Sequence, residues 1–436
     1  MSQTSREQTL RLLDDREPAV RLAAVRRLAE REAEARPAAS RDVNNHIHTV
    51  YSFSPYTPSR AVWEALDAGL ATAGIMDHDT VAGAAEFREA GRLLGLPVTV
   101  GAELRVSFAG TPIAGRRINN PDQEGVAYLA FHGVPASQID AVDRFFRPVR
   151  AARGVRNRVM ALRLDRLARE AGTSLDYDRD VLPLSEAARG GSVTERHLLY
   201  ALAAQLMRSR PDRSSWSGLL RTLWGLNPGE KAVRRITDPG NPHVLYDLLG
   251  IFKSELLPSV YEPATDELVP VRTALEFAAS HGIIAAYPYL GDVGESVTGD
   301  KKAQRFEDAY LDELFVLLAD LGVRAVTYMP SRNTTAQLDR LRSLCVRYGM
   351  FEISGEDINQ PSQPFVCEAM RQPGFEGLYD AAWALIGHEQ CAAADPEDGL
   401  FADKNMKRMP VLADRVRHFS ALAKAQSSRT SGGSNP

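Results

Sequence analysis

Asn45-His46-Ile47-His48 is followed about thirty residues later by Met76-Asp77-His78-Asp79, and these two stretches decide the fold. In an extended strand alternate side chains point the same way, so His46 and His48 project together while Ile47 turns into apolar packing. Two imidazoles aimed at one point suit Zn, Mn or Fe, which accept neutral histidine and carboxylate ligands. The chain holds 9 histidines. Chance alone would give about 0.2 pairs of this spacing, so the pair needs support from elsewhere. Its competing reading is one buried, satisfied histidine and one exposed.

Support comes from the rhythm around it. A strand over Val43 to His48 precedes Thr57 and Pro58, a cap and first-turn proline for a helix through Trp63, Leu66 and Leu70. Next come the apolar strand Ala73 to Met76, a helix from about Ala82 to Leu94 and the strand Val98 to Glu103. A polar loop with Arg116 and Arg117 leads to the strand Val126 to Phe131, which ends at His132. The alternation resumes near residue 272 with strands Ile283 to Tyr287, Ala325 to Met329 and Phe351 to Ser354. Strand and helix alternating in this way predict a parallel sheet. Each candidate ligand falls at the C-terminal end of its strand, where barrel enzymes gather their chemistry.

The rest of the chain divides around this frame. Residues 1–40 predict a helical appendage, with Leu10, Leu12 and Leu13 on one stripe and Val20, Leu22, Val25 and Leu28 on another. Residues 41–135 form the first part of the barrel, 136–270 a mainly helical insertion and 271–425 the second part with C-terminal helices. Residues 426–436 are Ser/Gly-rich and predict a disordered tail. Within the insertion, Arg144, Arg147, Arg150, Arg153, Arg156, Arg158 and Arg163 recur along one long helix or pair of helices over Ser137 to Ala171. They read either as a solvated face or as a surface for phosphate or RNA. Between Ser209 and Thr265 no clean periodicity is present.

Composition narrows the function classes. Of 436 residues, 25% are charged and 44% hydrophobic, as in a soluble enzyme. A net charge of −4 argues against wholesale coating of nucleic acid. Three cysteines without metal-like pairing fit a reducing interior. The polar start shows no secretory signal, and no apolar run approaches the roughly 18 residues of a membrane span. The cytoplasm is the expected location, with no membrane partner. No motif marks a subunit interface.

Together the strand ends offer His46, His48, His78, Glu103, His132 and Asp357. In this order they resemble the PHP (polymerase and histidinol phosphatase) superfamily. Its motifs are a His-x-His pair, an Asp-His-Asp-type segment, a lone Glu, a following His and a terminal Asp-x-His. The resemblance runs over roughly residues 43–362. It implies a distorted (β/α)7 barrel and a metal-dependent phosphoesterase. Arg150 to Leu167 and Ser192 to His197 look like the helical insertion of nucleoside-bisphosphate phosphatases and 5′-to-3′ exoribonucleases. The departures are Phe53-Ser54-Pro55 for an early Asp or His, Tyr287 for a His before Pro288, and Asn359 for the last His. The resemblance therefore implies one or two divalent ions (Mn, Zn or Fe) on His46, His48, Glu103, His132 and Asp357. A second ion would need His197, Tyr287 or water beside Glu103 and His132.

For the chemistry, Asp77, His78 or Asp79 could orient a water or protonate a leaving oxygen. The alternative is that the two aspartates fix the ring tautomers of ligands. Arg105, Arg117, Lys301, Lys302 and Arg332 sit where a barrel mouth is expected and read as phosphate clamps or as surface ion pairs. His197 reads as a packed core residue or as a ligand or phosphate contact; His243, His281, His388 and His418 read as structural. The expected function is release of phosphate from a small phosphorylated metabolite or nucleotide. The alternatives are a metallohydrolase of C–N or C–O bonds, or a lapsed enzyme that binds RNA or protein.

Overall fold

The computed structural model describes residues 3–31, 40–294 and 304–432. Eight strands are found among them: β1 (Val43–Ile47), β2 (Thr72–His78), β3 (Val98–Ser107), β4 (Val126–His132), β5 (Val269–Pro270), β6 (Ile284–Pro288), β7 (Ala325–Tyr328) and β8 (Phe351–Ser354). Seven lie side by side in the order β1-β2-β3-β4-β6-β7-β8, and the short β5 pairs with β3 beyond its neighbour. The sheet curls until its two edges meet. His48 donates its backbone N–H to the Ile358 carbonyl at 2.9 Å, and Ile358 returns the bond to His46 at 3.0 Å. The result is a nearly closed, distorted barrel wrapped by helices, the architecture implied by the family resemblance.

Local sequence explains the elements. β2 and β3 are buried almost throughout, as strands covered on both faces must be. Thr57 caps the helix Pro58–Asp67 by accepting the Arg60 N–H at 3.1 Å, and Gly95 ends the helix Ala84–Leu94 in the left-handed conformation. The N-terminal helices, Gln3–Arg11 and Pro18–Arg31, and the 3-10 turn Leu12–Asp14 between them pack Leu13, Val25 and Leu28 onto the barrel core. Arg21 locks them there, its buried guanidinium held by the Glu86 carboxylate.

Two expectations are corrected and one alternative is decided. β4 runs antiparallel to both β3 and β6, so the sheet is mixed rather than parallel. Consequently His132, although it ends its strand, falls just past the Ala102–Phe131 pair, below the level of Glu103 rather than at the mouth with the other strand ends. Of the two readings of the arginine-rich stretch, the single helix is found, Ile139–Glu170, with Pro148 in its interior. Finally, the helix Leu412–Gly432 runs into the Ser/Gly-rich segment expected to be disordered, of which residues 433–436 lie outside the described residues.

The insertion folds around a hydrophobic cluster of its own, including Leu164, Leu202, Trp216, Leu248 and Phe252. The segment without periodicity breaks into the short helices Trp216–Trp224, Glu230–Thr237, Val244–Ile251 and Leu257–Val260. Short amphipathic pieces separated by turns leave too few repeats for a period to register. Among the described residues no helix is long and apolar enough to cross a membrane.

Candidate metal centre

β1 and β3 bring the first ligands together. His46, His48 and Glu103 each offer one ligand atom, and the three atoms lie within 4.8 Å of one another. His46 Nε2 is 3.3 Å from one Glu103 oxygen, and His78 Nδ1, from the end of β2, is 3.3 Å from the other. Neither nitrogen has a hydrogen-bond partner, although both are buried. Two ligands at 2.0–2.2 Å from a shared tetrahedral ion stand about 3.4 Å apart, so this spacing suits donors around a cation. His48 Nε2 stands 3.1 Å from Asp357 Oδ1, which faces the same cavity.

A chain of hydrogen bonds sets the tautomer of His48. Asp77 accepts from the Thr49 N–H at 2.7 Å, the Thr49 hydroxyl at 2.6 Å and the Ser52 hydroxyl at 2.6 Å. The Ser52 proton is thereby committed, so its oxygen must accept from His48 Nδ1, 3.2 Å away. Nε2 is then the ring atom that faces Asp357 and the cavity, open to a metal once its own proton is displaced. Asp77 is thus an anchor for a ligand and does not line the cavity. Asp79 does not line it either. It adopts φ 54°, its carboxylate is paired with Arg153, and its carbonyl accepts from Arg150 at 3.0 Å. The catalytic roles expected for the two aspartates give way to structural ones, and only His78 of the three borders the cavity.

Electrostatics keep His46, His78 and His132 in the neutral form that metals require, whereas burial of His48 is outweighed by the hydrogen bond and charge of Asp357, which raise it. Burial, with the neighbouring His48 adding to it, lowers His46 to about 4; burial and His46 lower His132 to about 3. Burial likewise drives His78 well below the usual histidine range. For Glu103 burial works the other way, raising the carboxyl to about 8. Burial opposes the charge of Asp357, but the hydrogen bond and charge of His48 outweigh it and hold the carboxyl well below its usual range. Orphaned buried nitrogens, converging carboxylates and neutral rings fit a divalent ion.

The remaining expected ligands are placed less directly. His132 faces the barrel interior in the alternation that pairs Ala130 with Glu103, below the cluster, and its buried Nε2 has no partner. Tyr287 turns away from the cavity and donates its hydroxyl to Glu307 at 3.1 Å. His197 caps its own helix, Nδ1 accepting the Thr194 N–H at 3.0 Å. These two are therefore not ligands of a second ion. Asn359 donates to Asp357 Oδ1 at 2.6 Å. Phe53 sits at φ 99° with its ring packed edge-on to His197 and Tyr200, plugging the gap between barrel and insertion.

The expected phosphate clamps are mostly engaged elsewhere. Arg105 gives its donors to Glu267 at 2.9 Å, Glu195 at 2.7 Å and the Tyr128 hydroxyl at 3.2 Å. Arg117 is exposed outside the cavity, and Arg332 donates to the Leu290 carbonyl at 3.2 Å. Lys301 and Lys302 lie outside the described residues. The arginine run divides: Arg144, Arg147 and Arg158 are exposed, as on a solvated face, while Arg153 and Arg156 turn inward. Arg153 and Arg156 are buried against Asp79, Glu195 and Glu267, while Arg158 pairs with Asp178 and Arg163 with Glu262. The cations that do border the cavity from the insertion, besides Arg153, are Arg196 and Lys253. Sequence reasoning passed over both, because a single basic residue in a helix carries no signal of direction.

No family model matches the sequence, and no curated protein matches it. Among solved structures the chain is similar to a "putative metal-dependent phosphoesterase" from Bifidobacterium adolescentis, with TM-score 0.48 and 19% identity over 77% of this chain and 96% of that one. It is also similar to an amidohydrolase from Chromobacterium violaceum, solved with bound sulfate and no metal, with TM-score 0.50 and 16% identity over 75% and 90% of the two chains. At this identity the second likeness establishes the fold. The class defined here is a distorted α/β barrel with a candidate metal centre at its mouth, roofed by a helical insertion.

Proposed function

We propose that the chain is a metal-dependent hydrolase, and specifically a phosphoesterase that releases phosphate from a small phosphorylated metabolite or nucleotide. The convergence of His46, His48 and Glu103 on one point of a cavity carries this reading. One or two divalent ions (Mn, Zn or Fe) would be held there, with His132 and Asp357 as the further ligands. Such an ion lowers the pKa of water toward neutrality and neutralises charge on phosphoryl oxygens. Arg196 and Lys253, on the insertion side, are placed to bind an anionic group, and Phe53 and Leu199 give the same wall an apolar character. His78, at the rim of the ligand cluster, is suited to hold or pass a proton at the leaving oxygen.

Purified protein loaded with Mn or Zn should release phosphate from at least one member of a phosphomonoester panel. No turnover with any ion and substrate would sink the proposal. A second reading, hydrolysis of a C–N or C–O bond, is favoured by the side chains of His197 and Tyr287, which leave a single compact ligand group; one ion suffices to activate water for carbonyl attack. Turnover of amides or lactones without phosphate release would select it. Binding of RNA is not favoured, since the insertion arginines are engaged by carboxylates. A cytoplasmic location is supported by three cysteines that form no disulfide.

A further inference from the structure

We propose that Tyr128 is a substrate-facing hydrogen-bond donor of the site, polarised by the buried Arg105 behind it. This rests on the hydrolase reading above. β4 pairs Ala130 with Glu103 and Tyr128 with Arg105, so Tyr128 stands on the inward face one step above the ligand cluster. Its ring borders the cavity, 5.6 Å from that of His78. The phenol oxygen accepts the Arg105 Nε–H at 3.2 Å. A phenol has a single hydrogen, and among the described residues no protein acceptor takes it. That hydrogen is therefore directed to whatever occupies the cavity.

The surroundings keep the donor fixed. Asn119 grips the Tyr128 backbone on both sides, accepting its N–H at 2.7 Å and donating to its carbonyl at 3.1 Å. Arg105 turns its two terminal nitrogens to Glu267 and Glu195, which leaves Nε–H to the phenol. Its positive charge is passed outward through the hydroxyl. The ligand oxygen that suits such a donor is one that gains negative charge on reaction, a phosphoryl oxygen or a tetrahedral oxyanion. A preorganised donor of this kind contributes on the order of 100-fold to turnover.

Tyr128→Phe removes the hydroxyl and leaves the ring. In the Mn-loaded protein, kcat on a phosphomonoester should fall about 100-fold while KM and metal content stay near wild type. Calorimetric titration with inorganic phosphate should show affinity weakened about 10-fold. Wild-type kcat and phosphate affinity in Tyr128→Phe would overturn the role of Tyr128. Absence of turnover in the wild type would overturn the phosphoesterase reading, and the phosphate titration would then decide on Tyr128 alone. Should Tyr128→Phe melt well below the wild type, 3-fluorotyrosine at position 128 takes its place. This more acidic phenol should bind phosphate more tightly, and unchanged or weaker binding would overturn the proposal.

Discussion

His48 shows how much one side chain depends on what stands behind it. Its Nε2 points to the cavity because Asp77 fixes Ser52 and Ser52 fixes Nδ1. His48→Ala should lower the bound metal per chain by at least about 10-fold in affinity and abolish turnover, as measured by elemental analysis and phosphate release. Full metal content in that variant would remove His48 from the ligand set. The pairing of His46 with His48, and of both with Glu103, was legible because strand alternation is a property of the backbone. The fate of Arg105 was not. Whether a guanidinium meets substrate or carboxylate depends on Glu195 and Glu267, which lie 90 and 162 residues away in sequence. His197 was hidden for the opposite reason: its partner, three residues back, is a helix cap that the Thr-x-x-His spacing only loosely suggests.

At the level of elements, register and turns decide the geometry. Gly355, just after β8, has no room for a side chain, since a Cβ there would stand 2.6 Å from that of His46. Gly355→Ala should push β1 outward and weaken metal binding about 10-fold with little change in helical content, which calorimetry and circular dichroism can separate. Strong metal binding by this variant would show that the close approach is dispensable. The loop after β6 provides a pH-dependent test. Burial raises Glu307 to about 7, against an ordinary value of 4.5, and its Oε2 has no partner. The folded state therefore holds this proton more tightly than the unfolded chain does. The associated stability is complete below about pH 4.5 and is lost as pH rises through about 7. Relative to the wild type, Glu307→Gln should gain Tm between pH 5.5 and pH 8.5, by an amount corresponding to a few kcal/mol or less. A difference in Tm that is independent of pH would place the proton elsewhere. The strands were legible from their apolar runs, yet the direction of β4 was not, because a buried strand looks alike from either end.

For the whole molecule, the bond between insertion and barrel is ionic at its centre. Arg105 comes from the barrel, Arg153 and Arg156 from the long insertion helix, and they share Asp79, Glu195 and Glu267, all of them buried. Removing one partner strands charges in a medium that solvates them poorly. Arg153→Met should destabilise the protein by about 3–5 kcal/mol in denaturant unfolding. A loss below about 1 kcal/mol would mean that solvent reaches these groups. None of this could be read from the arginine run, since periodicity shows which residues share a face and not what lies opposite.

The reversed course of β4 sets a distance that the chain has to make good. It delivers the polypeptide to the far rim of the barrel, and the helix Ile139–Glu170 must carry it back along the outside before Arg153 can meet Asp79. At 1.5 Å per residue the stretch from Ile139 to Arg153 extends about 21 Å, so this part of the helix acts as a measuring rod between the two rims. Excising one turn between Pro148 and Arg153 would draw the guanidinium back by about 5 Å and leave the roof standing askew over its walls.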